Sequence, residues 1–194
     1  MASPPNSVGQ NAKMIGTAFF IDRNHLLTAR HNLTDKHDRI VTRTASIATP
    51  GTPFVCYSEV LETETVISCH LIAEESQYDI DLLKTDGYRS RHWLSLDDGG
   101  LSVGDHATVI GYPCVRTDDW IMCHPGITDV IKARDVITKL LPTGHLSFSA
   151  GTIQTTDESK CIFEYDASTC PGLSGGSIVH SGKVIGTLLL LLTI

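Results

Sequence analysis

Turn residues interrupt this sequence so often that little room is left for long helices. Apolar or alternating stretches of about four to eight residues run between Gly, Pro, Asn and Asp signals, which is the pattern of many short strands. Met14 to Ile21, Arg39 to Ala48, Glu64 to Ile72, Asp105 to Tyr112 and Lys183 to Leu192 are such stretches. Only Thr128 to Leu140 carries helical content, and Val130, Ile131, Val136 and Ile137 weaken it, because β-branched side chains lose rotamer freedom on a helix. The expectation is an all-β chain, built as a sandwich or barrel and not as a parallel α/β sheet. Leu94 to Gly104, with Asp97, Asp98, Gly99 and Gly100 in succession, is a polar bridge between two strand-dense halves.

Bulk properties exclude several function classes. With 41% hydrophobic and 19% charged residues, the 194-residue chain has the balance of an ordinary globular protein. A net charge of −7 and the lack of a basic stripe argue against a nucleic-acid partner. Met1 to Asn11 is polar with no apolar run, so no secretory leader is read and a cytoplasmic location is expected. The five leucines from Leu188 to Leu192 fall far short of the roughly 20 residues that span a bilayer. They read as a buried strand, and no membrane partner is expected.

The six cysteines, Cys56, Cys69, Cys114, Cys123, Cys161 and Cys170, would allow three disulfides in an oxidising compartment. Without a leader, free buried thiols are the expectation. No Cys-x-x-Cys pair occurs, and Cys123 with His124 lacks a second ligand pair at usable spacing. Neither a metal nor a cofactor is called for.

Three segments carry chemistry, in the order His, Asp, Ser. In the first, Gly16 to Ile21 and Leu26 to Ala29 flank a turn at Asp22 to Asn24 and lead to His31, so a strand pair ends in an imidazole at a rim. In the second, Asp79 precedes the apolar run of Ile80, Leu82 and Leu83. A buried carboxylate there accepts a hydrogen bond from imidazole, fixes its tautomer and stabilises the imidazolium. In the third, Cys170 to Ser177 sets Gly172, Gly175 and Gly176 around Ser174, a loop that offers both a nucleophile and converging N–H groups. A glycine-flanked serine or any one of nine histidines is, alone, more often a turn or a surface residue. It is the order and context of all three that point to nucleophilic catalysis. Asp81 is read as a solvated strand residue.

These segments resemble the catalytic blocks of the trypsin-like, or chymotrypsin-fold, serine peptidases. Gly16 to Ile21 followed by Thr28-Ala29-Arg30-His31 is similar to that family's strand and Thr-Ala-x-His. Tyr78 to Lys84 is similar to its Asp-Ile-x-Leu-Leu, and Pro171 to Val179 to its Gly-x-Ser-Gly-Gly loop. Val103 to Pro113 and His145 to Ile153 resemble second-barrel strands of HtrA-type and glutamyl-endopeptidase-like members. The resemblance runs from about Gly16 to Leu191. It implies two six-stranded antiparallel β-barrels with the active site between them. Residues 1–13 would be an N-terminal extension, 14–97 the first barrel with His31 and Asp79, and 98–194 the second with Ser174. It also implies a serine endopeptidase acting on protein or peptide substrates, with an oxyanion hole formed by the N–H groups of Gly172 and Ser174.

Departures from the family pattern matter too. Leu173 stands where zymogen-activated members carry an acid that pairs with a newly cut N-terminal amine, so that switch is missing. Arg30 and Asn32 flank His31 in place of a small residue and a disulfide cysteine. By loop position Ser168 lies at the base of the substrate pocket with Thr169 beside it, and Leu189, Leu190 and Leu191, with Leu188, form a wall. No charge in this set matches a charged substrate side chain, so a neutral or apolar one is expected. The chain stops at Ile194, which fits a minimal form or a domain of a longer protein. A gated or silent protease-like module is the alternative function, and its sign would be a peptide flip at Gly172–Leu173.

Overall fold

The computed structural model describes residues 16–33, 51, 53–60, 63–113, 126–140 and 145–189. Their strands form two antiparallel sheets. The first contains β1 (Ala18–Phe20), β2 (His25–Ala29), β3 (Pro53–Val60), β4 (Thr63–Glu75) and β5 (Ile80–Thr85), in the order β1-β2-β5-β4-β3. The second contains β6 (His106–Gly111), β7 (Ser147–Asp157), β8 (Ile162–Tyr165), β9 (Ser177–His180) and β10 (Lys183–Thr187), in the order β10-β9-β6-β7-β8. Each sheet has five strands among the described residues, one fewer than the expected six. The strand expected over Arg39 to Ala48 lies outside the described residues, as does the N-terminal extension.

Period-two alternation gives each sheet its own core. On β5, Asp81, Leu83 and Thr85 point inward, and on β6, Ala107, Val109 and Gly111 do so. Leu26, Leu33, Cys56, Ile67, Cys69, Leu71 and Leu83 form the first core, against which Phe20 and Tyr88 pack. Ala107, Val109, Ile137, Ile153, Cys170, Leu173, Ile178 and Leu188 form the second. Residues 94–97 bind both sheets: Leu94 N–H donates to Phe20 O, and Val184 N–H donates to Ser95 O.

The segment Thr128 to Leu140 is more helical than its β-branched content suggests. It forms α1 (Val130–Leu140), because Asp129 caps it: Oδ1 accepts from Lys132 N–H at 2.9 Å and the carbonyl accepts from Ala133 N–H at 3.0 Å. Lys139 adds an ion pair with Asp135 one turn back, and Ile137 anchors the helix in the second core.

The four described cysteines, Cys56, Cys69, Cys161 and Cys170, form no disulfide. Cys56 and Cys69 are buried with their sulfurs 3.4 Å apart, Cys170 is buried, and Cys161 is exposed. Cys114 and Cys123 lie outside the described residues. The Cys56 thiol and burial together push the Cys69 thiol far above its ordinary range, so Cys69 stays protonated.

Candidate active site

β2 ends at Ala29 and the chain turns at once into a single 3₁₀ turn, Arg30–Asn32, which lifts His31 off the sheet. The strand reaches this point in the right register because Asp22 closes the β1–β2 turn, accepting from the N–H groups of Asn24 and His25 at 2.8 Å each. Asp79 immediately precedes β5, the antiparallel neighbour of β2, so it arrives beside His31. Its φ of +55° is a left-handed conformation that Asp tolerates better than most residues. Both oxygens of its carboxylate reach His31. Oδ2 lies 2.5 Å from His31 Nδ1 and Oδ1 accepts from the His31 main-chain N–H at 3.0 Å, while the Asp79 carbonyl takes the Arg30 N–H at 2.8 Å. A carboxylate is acceptor-only, so Nδ1 carries the proton and Nε2 is left as the basic nitrogen.

Ser174 is 7% exposed and sits in the loop between Cys170 and β9. That loop opens with a reverse turn closed by Leu173 N–H donating to Cys170 O at 3.3 Å, with Pro171 and Gly172 as its central residues. Gly172 has φ +92°, so the turn is type II, for which Pro then Gly is the favoured pair. Types I and II differ by a flip of the central peptide, which is Pro171–Gly172. The Gly172 N–H belongs to that peptide, so a gating flip falls there and not at Gly172–Leu173 as the sequence suggested.

The Ser174 carbonyl accepts from Thr17 N–H and from Asn32 Nδ2, both at 2.8 Å. The residue after His31 thus grips the main chain of Ser174, and the histidine turn and the serine loop are tied across the two sheets. Sequence reasoning does not find Asn32 and Thr17 as ties; a polar residue directly after the histidine is the one signal it offers. A Cβ on Gly16 would overlap the Asn32 amide, so only glycine admits that side chain.

The expected pocket residues are less tightly organised. Ser168 and Thr169 are exposed, with the Ser168 carbonyl accepting from Ser149 Oγ at 2.6 Å. Leu189 is half-buried, while Leu190 and Leu191 lie outside the described residues. The Leu188 side chain belongs to the second core, and its main chain pairs with Gly175 and Gly176. A groove of about 590 Å³ lies elsewhere, on the second sheet, lined by residues such as His106, Thr108, Gly151 and Asp166.

The model of the trypsin-like peptidase domain matches residues 16–186. The chain belongs to the trypsin-like peptidase family. Its fold is similar to that of a serine endoprotease from Yersinia pestis, at 16% identity over 93% of this chain and 50% of that one, with a TM-score of 0.56. It is also similar to Deg5, at 16% identity over 89% of this chain and 71% of that one, with a TM-score of 0.55. This peptidase domain therefore spans half the length of the Yersinia pestis protein. No curated protein matches the sequence significantly. The trypsin-like resemblance of the sequence agrees with the family match, and the chymotrypsin-like fold it implies agrees with these neighbours.

Behind the His–Asp pair of this trypsin-like domain lies a charged group that the sequence misjudges. Asp81 is not solvated but 1% exposed, because it lies within β5 in the inward phase of Leu83 and Thr85, whereas Asp79 precedes the strand on a left-handed backbone at the rim. Arg30 Nη1 bonds Glu74 at 2.5 Å and reaches Asp81 Oδ1 only at 3.5 Å. Burial, aided by the Glu74 and Asp79 carboxylates and opposed by Arg30, pushes the Asp81 carboxyl up to about 6 from 3.8. The folded protein thus holds a proton that the unfolded chain has already lost, and stability falls as pH rises from about 4 to about 6. Asp81→Asn is expected to remove that fall, gaining roughly 3 kcal/mol over wild type between pH 4 and pH 7. Denaturant melts of both proteins across this range measure it; parallel pH curves would mean that Asp81 ionises in the fold as easily as in the open chain.

Proposed function

We propose that this chain is the catalytic part of a serine endopeptidase, with Ser174 as nucleophile, His31 as general base and then acid, and Asp79 as the group that orients His31. The observation that carries the reading is the Asp79 carboxylate engaging both the ring and the main chain of His31, on a turn whose next residue holds the carbonyl of Ser174. His31 Nε2 takes the Ser174 hydroxyl proton as Oγ attacks the peptide carbonyl. The tetrahedral oxyanion is met by the N–H groups of Gly172 and Ser174. His31 then returns the proton to the leaving amine, and water repeats the sequence on the acyl-enzyme. No step calls for a metal or cofactor. Leu173, buried in the second core, stands where an activation acid would sit, which supports a loop that needs no N-terminal cut to assemble. Ser168 and Thr169 would meet the side chain before the scissile bond, favouring a neutral one.

A fluorophosphonate probe tests this reading, with the modified residue located by peptide mapping. One label per chain on the peptide carrying Ser174, blocked by prior heating, is expected. A folded protein that takes no label would overturn the reading in favour of a gated or silent module.

A further inference from the structure

Thr17 bonds two residues of the serine loop, Gly172 and Ser174, and reaches both sheets. It lies just before β1, 3% exposed. Its main-chain N–H donates to Ser174 O at 2.8 Å, and its carbonyl accepts from Thr28 Oγ1 at 2.6 Å. Its hydroxyl donates to Gly172 O at 2.8 Å and accepts from Tyr112 N–H, at the end of β6, at 2.9 Å. A hydroxyl has one proton to give, and here it goes to the residue whose N–H points the oxyanion hole.

We propose that the Thr17 hydroxyl is a positioning latch that holds the Gly172–Leu173 peptide, and through it the Pro171-Gly172 turn, in place against the first sheet. The latch rests on the peptidase reading above and extends it to regulation of the same loop. The physics is local. Gly172 has no side chain to bias its backbone and reaches φ +92° as readily as the negative φ of a type I turn. With its carbonyl bound to Thr17, the residue is fixed from its C-terminal side, while the Leu173 N–H bond to Cys170 O closes the turn. The Gly172–Leu173 peptide keeps its direction in both turn types, so the bond fixes where the turn sits; releasing it lets that peptide shift and carries the adjoining Gly172 N–H out of line with the hole. The second lone-pair contact, from Tyr112 N–H, orients the hydroxyl so that its proton faces Gly172. In this chain the first sheet thereby does for the loop what an activation-acid pair does where Leu173 is replaced by an acid.

Thr17→Val keeps the shape and removes the hydroxyl; Thr17→Ser keeps the hydroxyl and removes a methyl. Thr17→Val is expected to lower kcat on a peptide substrate by about 10- to 100-fold with KM within about twofold, short of the loss from deleting a hole donor outright. Thr17→Ser is expected to restore most of that rate. A second readout needs no activity: amide hydrogen exchange over residues 170–176 should rise in Thr17→Val and stay at the wild-type level in Thr17→Ser. Should the wild type prove unable to label or turn over, the peptidase reading fails and exchange still judges the latch. Equal exchange in all three proteins overturns it, as does a Thr17→Ser variant as impaired as Thr17→Val.

Discussion

Ser174→Ala and Asp79→Asn are expected to lower kcat by different amounts, about 10⁶-fold for the serine and about 10⁴-fold for the aspartate, in proteins that melt like wild type. The gap follows from what each group does. On the proposed mechanism no acyl-enzyme would form without Oγ, and what would remain is water attacking a carbonyl held near the N–H groups proposed as the oxyanion hole, those of Gly172 and Ser174. The Asp79 change is subtler. Asparagine tolerates the left-handed backbone that Asp79 adopts at φ +55°, so the turn before β5 is kept. Its amide oxygen still accepts the His31 main-chain N–H, which leaves the NH₂ group facing Nδ1. A donor in that place demands that Nδ1 be an acceptor, so the ring proton moves to Nε2 and the base is lost. Single-turnover acylation of a chromogenic ester separates the two variants. An Asp79→Asn protein within tenfold of wild type would show that Asp79 neither sets the tautomer of His31 nor stabilises its charged form.

Local chemistry in this chain is legible from sequence, while relations between distant segments are not. The turn at Asp22 to Asn24, the histidine at the end of a strand and the aspartate just before another are each written in adjacent residues, and antiparallel pairing of β2 with β5 then brings His31 to Asp79. The helix is underrated by propensity alone, because its β-branched residues count against it while the Asp129 cap before them goes uncounted. Asp81 departs from expectation for a simple reason. One residue of phase on a strand, or one residue of register in a loop, moves a side chain from solvent to core. Asp81 shares the inward phase of Leu83, whereas Leu188 follows β10 into the second core as the buried run of leucines implies. The Thr17 and Asn32 ties join positions 155 and 142 residues apart, and nothing in local composition encodes such a pairing.

The same seam makes Gly175→Ala the substitution expected to harm stability most. Gly175 has φ +81°, and a Cβ there would overlap Thr17 O and lie 2.6 Å from Thr28 Oγ1 and 2.7 Å from Ala29 N. Two of these atoms are backbone and the third is a hydroxyl already bonded to the Thr17 carbonyl, so no flexible end can swing away. Gly182 is the control, because it has nearly the same backbone, φ +80°, with nothing within 4 Å of where an alanine methyl would sit. Gly182→Ala should therefore cost only the left-handed strain of a non-glycine residue, about 1 kcal/mol. Gly175→Ala carries that strain and must also part the two sheets beside Ser174, for about 4 kcal/mol or more, the range of severe core disruption. Denaturant midpoints of the two variants give the difference directly. Near-equal costs would mean that the sheets do not close on Gly175, and the arrangement of Thr17, Thr28 and the serine loop would then have to be redrawn.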